Sequence, residues 1–273
     1  MRRTLMSSVL AVALAAATAL DAAPAVPDGT VVVATTQKRL GTDPDDPLWQ
    51  KVQAVTVAMV PQNIAPPHGG GSVSRIRIQA LHNRDQIAFR LVWNDPTADV
   101  ENALDSFRDA VALLFPLKTR NLGNTSPLMG NKGAPVNIWQ WRADWQADRD
   151  GRDRLQARMP HTAGVWISPL DEQILKARFP AKPQPNATAL EFVAEGWGTL
   201  TRQKQQDIDA EGRWQDGEWR VVFLRRLKRT DASDAAFRPG TRTALNVAVW
   251  NGAEEDVNGR KSVSLQWIPV LVR

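Results

Sequence analysis

The chain has no cysteine, no tyrosine and only three histidines in 273 residues. Without cysteine there is no disulfide, no thiolate metal site, no thiol nucleophile and no covalent haem attachment through C-x-x-C-H. The histidines, His68, His82 and His161, show no H-x-x-H or H-E-x-x-H spacing, so no zinc site is visible. His82 lies near a hairpin turn and is expected at the surface, whereas His68 in "PPHGGG" and His161 in "MPHTAG" lie in loops open to a ligand. There is no G-x-S-x-G, no P-loop and no dinucleotide fingerprint. Carboxylate pairs such as Asp45-Asp46 and Glu254-Glu255 are sequence neighbours. In extended chain they point to opposite faces and make poor acid/base partners.

Long apolar runs are equally scarce. The one candidate, Leu5 to Leu20, is short and rich in alanine, and no later segment approaches about 20 uninterrupted apolar residues, so no membrane span is expected. Flanked by Arg2, Arg3 and the small residues Ala22, Ala23 and Ala25, this run reads as an export signal. The expected division is a signal over residues 1–25 and one domain over 26–273, with the Arg2-Arg3 pair leaving Sec and twin-arginine routes both open. The net charge of +5 is mild, and bases alternate with acids, as in "RADWQADRDGRDR". That pattern describes a solvated surface, and no nucleic-acid partner is expected.

What the sequence does have is short period-2 runs bounded by Gly, Pro, Asn and Asp. Ile76, Ile78 and Ala80 alternate with polar residues, "NRDQ" turns the chain, and Ile87, Phe89, Leu91 and Trp93 line the return. Asp216-Gly217 supplies a tight type I′ turn between Trp214 and Trp219. Further strands are expected near Thr30, Gln53, Asp109, Val136, Leu190, Ala244 and Ser262, with the run from Val136 continuing as "VNIWQWRADW" to Trp145. Only Asp99 to Arg108 and Ser168 to Phe179 look helical, and "PAKPQP" at 180–185 reads as a loop. About ten strands and little helix define an all-β class, an antiparallel β-sandwich with long loops and a few short helices.

Eleven tryptophans are the compositional anomaly. Most belong in a sandwich core, but some near loops would suit an apolar ligand pocket or a sugar-stacking surface. Locally, Met129 on a Gly/Pro loop and Lys261 in "NGRKSVS" look ordinary.

Four blocks in order, "WNDPTAD", "DAVALLFP", "PLMGNKGAPVNIWQWRADW" and "VAVWNGAEEDVNGRKSVSLQW", resemble the ethylbenzene dehydrogenase-like haem-binding family. That family provides haem b, or gamma, subunits of periplasmic molybdoenzymes such as the dimethylsulfide, chlorate and selenate enzymes. The resemblance implies one non-covalent haem b in a β-sandwich, with Met129 and Lys261 as its methionine and lysine iron ligands. It also implies periplasmic electron transfer without substrate chemistry. The implied partners are an iron-sulfur (beta) subunit, a molybdopterin (alpha) subunit and a cytochrome-type carrier. Trp139 and Trp141 are expected to exclude water from the haem, and Lys132, Arg142 and Arg260 lie near the two ligand motifs. Two alternatives stay open: a secreted carbohydrate-binding β-sandwich module, and a stand-alone periplasmic haem b protein.

Overall fold

The structure is a computed structural model and describes residues 26–101, 106–151 and 187–273. The expected signal, the helix at Ser168 to Phe179, the loop at 180–185 and His161 all lie outside them. The strands are β1 (Val31–Thr35), β2 (Val55–Ala58), β3 (Val60–Pro61), β4 (Arg75–His82), β5 (Gln86–Asn94), β6 (Ala110–Pro116) and β7 (Val136–Arg142). They continue as β8 (Ala189–Ala194), β9 (Thr201–Arg202), β10 (Ile208–Gln215), β11 (Glu218–Arg226), β12 (Arg242–Trp250), β13 (Ser262–Val263) and β14 (Ile268–Val272).

One continuous path of strands, β10-β11-β5-β4-β1-β14-β12-β6-β7-β8-β9, curls back on itself to make the two layers. β12 forms the corner. Its first half, Arg242 to Leu245, pairs with β14, and its second half, Asn246 to Trp250, pairs with β6. Pairing is antiparallel as expected, except that β1 runs parallel to both β4 and β14. The β10–β11 hairpin turns at Asp216 (φ 54°) and Gly217 (φ 76°), the two positive angles of a type I′ turn, and sets Trp214 opposite Trp219.

Alternation along each strand decides what is buried between the layers. Ile76, Ile78, Phe89, Leu91, Trp93 and Phe223 on one side meet Val111, Leu113, Phe115, Trp139, Trp141 and Val247 on the other. The centre is aromatic: Phe115 lies 4.7 Å from Trp139 and 5.3 Å from Phe89 between ring centroids, in tilted contacts. Beside it Arg225, 2% exposed, reaches Glu191 at 3.7 Å and lies over the Trp139 ring at 5.0 Å.

Two expected elements differ. The described part of Asp99 to Arg108 is not helical, because Asp99 and Asp109 are tied by a backbone bond across the loop (2.8 Å). The helix instead is α1 (Ala143–Arg149), where the reading from Val136 ran on as strand. Strand and helix are hard to separate here, since Ala143, Trp145, Gln146 and Ala147 are all buried. The chain turns where Asp144 enters the first helical turn and pairs with Arg142. Among the described residues no helix is long and apolar enough to cross a membrane.

Candidate cofactor site

The layer built from β12, β6, β7 and β8 is apolar on both faces. Residues one step out of phase with the main core form a second cluster: Ala110, Ala112 and Leu114 of β6, Val136 and Ile138 of β7, Ala194, Ala248, Trp250 and Val263. Four of these nine are alanine, so the outer face is low and flat over several strands. Leu128, Met129, Phe192 and Trp267 pack against it from above.

Met129 is brought there by a loop that is fixed by its own backbone. Asn131 and Ala134 bridge the loop, Gly130 N–H donates to the Ser126 carbonyl (3.0 Å), and the Asn131 side chain bonds both Ser126 N–H and the Asn124 carbonyl. Gly130 has φ 67°, and a Cβ there would stand 2.7 Å from the Ala134 carbonyl oxygen. Only glycine closes this turn without strain. The Met129 carbonyl accepts from Gly196 N–H (2.9 Å), which joins the loop to the end of β8. The Trp267 indole N–H donates to the Thr125 carbonyl (2.8 Å) and closes the other side.

Lys261 precedes β13. The register that pairs Ala248 with Val263 continues to place Lys261 beside Trp250, on the outer face. Its Nζ lies 4.7 Å from the Trp250 ring centroid. The residue is 9% exposed, and Nζ makes no hydrogen bond or ion pair with any described residue. Burial alone pushes its pKa down to about 8. The backbone around it is held tightly: Lys261 N–H donates to Gly69 O, and Gln62 N–H donates to Lys261 O. The Gln62 side chain, wholly buried, bonds Ala65, Gly259 and Ile64 and so ties the 62–70 loop to Lys261. A Cβ on Gly70 would meet Lys261 N at 2.4 Å.

Met129 and Lys261, 132 positions apart in sequence, thus border one apolar face. The indoles expected near them do not. Trp139 and Trp141 are fully buried on the opposite face, in the main core, because odd positions of β7 point inward. Trp250 and Trp267 line the outer face instead. His82 is also a correction. It is 4% exposed, with its ring bonded to the Thr35 hydroxyl and to the Arg273 and Asn83 carbonyls, since β4 sets it opposite Thr35 of β1, whose other neighbour is the C-terminal strand. Arg142 is committed to Asp144 and to the Trp145 ring (4.4 Å), while His68 and Lys132 are exposed and Arg260 is half-buried.

Sequence reasoning missed the alanine floor, Gln62 and the lysine-facing Trp250. The floor had a signal: Ala110 and Ala112 recur at period two in a strand otherwise built of larger residues.

The fold is a β-sandwich whose outer apolar face is bordered by one thioether and one desolvated amine. The chain belongs to the ethylbenzene dehydrogenase family, whose model matches residues 46–262. It is 27% identical over 226 residues to a protein named as a respiratory nitrate reductase haem subunit of Haloferax mediterranei, covering 82% of this chain and 66% of that one. It is 27% identical over 277 residues to the chlorate reductase gamma subunit of Ideonella dechloratans, covering 96% of each. A third relative, the dimethylsulfide dehydrogenase gamma subunit of Rhodovulum sulfidophilum, is 27% identical over 259 residues, with 89% and 77% covered. Among solved structures, a family 9 carbohydrate-binding module of Caldicellulosiruptor kristjanssonii with glucose superposes at a TM-score of 0.42 and 8% identity, covering 89% and 95%. That likeness is too distant to bear on the ligand.

Proposed function

We propose that this chain is a periplasmic electron-transfer subunit that holds one haem b non-covalently between Met129 and Lys261, without substrate chemistry of its own. The observation that carries the reading is the partnerless amine of Lys261, buried on the same apolar face that Met129 borders. The names of the three relatives support it, each being a haem or gamma subunit of a reductase or dehydrogenase.

The residues fit such a group. A lysine at its usual pKa needs about 5 kcal/mol to become a neutral ligand at pH 7. Burial has lowered the Lys261 pKa to about 8, which cuts that cost to about 1.4 kcal/mol. The alanine floor and Val263 would keep water from such a group, and the Gly130 turn holds the Met129 loop in place. Held by these two side chains, a haem b would supply one-electron transfer and would not activate oxygen or substrate. The partners we assign are an iron-sulfur subunit and a molybdopterin subunit on one side and a cytochrome-type carrier on the other.

The test is a pyridine haemochrome assay and visible spectrum of protein from the native periplasm. One haem b per chain and a low-spin spectrum are expected, and Met129→Ala or Lys261→Ala should change the spin state. A colourless protein, or spectra unaltered in both variants, overturns the reading.

A further inference from the structure

Where β5 ends and β6 begins, three aspartates converge. Asp95 follows β5, Asp99 lies on the crossover, and Asp109 opens β6. One carboxylate oxygen from each lies within 4.8 Å of the others. Asp95 and Asp109 are wholly buried. Among the described residues no lysine or arginine forms an ion pair with any of the three.

Hydrogen bonds use part of their capacity. Asp109 Oδ2 accepts from Asp99 N–H (2.7 Å) and the Trp219 indole (2.8 Å), filling both lone pairs, while Oδ1 accepts only from Gly252 N–H (2.8 Å). Asp99 Oδ2 accepts from the Thr97 hydroxyl (2.6 Å). Asp95 Oδ1 accepts a long bond from Thr97 N–H (3.3 Å). Asp95 Oδ2 is the telling atom: it is sealed from solvent and has no hydrogen-bond partner. The Trp93 indole N–H lies near enough to help hold the Asp95 pKa down, yet neither it nor Oδ2 reaches full hydrogen-bond geometry. A buried carboxyl oxygen without a full partner is a costly arrangement, and it sits among two further carboxyl groups.

We propose that Asp95, Asp99 and Asp109 bind a divalent cation of the calcium class, which fastens the β5–β6 crossover to the end of β12 through Asp109 and Gly252. Each aspartate retains an oxygen with a lone pair free for a metal. Oxygens no more than 4.8 Å apart fit around an ion whose bonds are about 2.4 Å long. Magnesium, with bonds of about 2.0–2.1 Å and a strict octahedron, suits three irregular protein carboxylates less well. Asp99 also lines a cavity of about 550 Å³ with Glu101, Glu255 and Ser106, which admits water for the remaining ligands and brings acidic walls to the entrance. Desolvation raises the Asp95 pKa to about 6 and that of Asp109 to about 8, each further raised by an aspartate neighbour, as expected of anions short of a counter-charge.

The experiment is equilibrium dialysis of the full chain, haem included, with radioactive calcium after chelator treatment, alongside thermal unfolding. One calcium per chain is expected, together with a melting temperature that falls on chelation and returns with calcium but not with magnesium. Asp99 is only partly buried, so Asp99→Asn should leave the circular dichroism and haem content intact yet weaken calcium binding ~100-fold. Asp209→Asn, on an exposed position, should bind as the parent does. Fewer than about 0.1 calcium per chain, or binding unchanged by Asp99→Asn, overturns the proposal and leaves Asp95 and Asp109 as a proton-sharing pair. Haem content is read independently, so loss of calcium binding does not touch the assignment of Met129 and Lys261.

Discussion

Lys261 differs from the other surface-type residues of this chain only in where the strand puts it. A lysine amine in open water keeps its proton at neutral pH. Over Trp250 and out of water it loses much of that preference. The pH dependence follows with a definite sign. The ligated form carries no proton on Nζ, while the free form binds one below about pH 8. Haem affinity of the haem-free protein should therefore rise with pH, by up to about tenfold per unit, and level off above about pH 8. Haem titration across pH 6 to 9 checks this, and a flat profile removes Lys261 as a ligand. A second residue-scale case is Arg225, whose ion-pair partner is Glu191, helped by the more distant Asp234 and Asp207, the Ala235 carbonyl and two aromatic faces. Burial lowers the Arg225 pKa and raises that of Glu191, so removing one partner strands the other. Arg225→Met should destabilise the fold by about 3–5 kcal/mol in urea denaturation.

At the scale of elements, loops and strand faces carry different risks. Gly130→Ala forces a Cβ against the Ala134 carbonyl and strains a positive φ, so it should cost about 1–3 kcal/mol and lower haem retention through Met129. Ala112→Leu acts differently. It raises the flat outer face while leaving the inward side of β6 untouched, so haem stoichiometry should fall with the far-UV circular dichroism preserved. These elements were unequally legible in the sequence. The hairpins at 83–86 and 216–217 were, because turn residues and period-2 alternation act over a few positions. Met129 and Lys261 are singled out only through the order of four blocks, since neither has a local signature. The facing of Trp139 and Trp141 was not. A strand apolar on both sides does not reveal which side is the core, and only pairing with β6 and β8 settles it. The start of α1 was hidden in the same way, by apolar residues that continue across the strand–helix junction.

For the whole molecule, the joint matters more than either layer. β14 lies between β1 and β12, and β12 passes from one layer to the other, so the closing of the sandwich depends on a few C-terminal residues. Deleting residues 268–273 should abolish the cooperative thermal transition and leave two open sheet edges, seen as lost near-ultraviolet tryptophan signal and increased light scattering. Shortening the exposed turn at 216–217 would not have that reach.

The second apolar face has a consequence for engineering. On β6, β7, β8 and β12 it is the even-numbered positions that point outward, while the odd-numbered ones hold the layers together. A combinatorial library confined to those even positions would sample new pigments or drug-like guests while inheriting the parent's inter-layer packing unchanged.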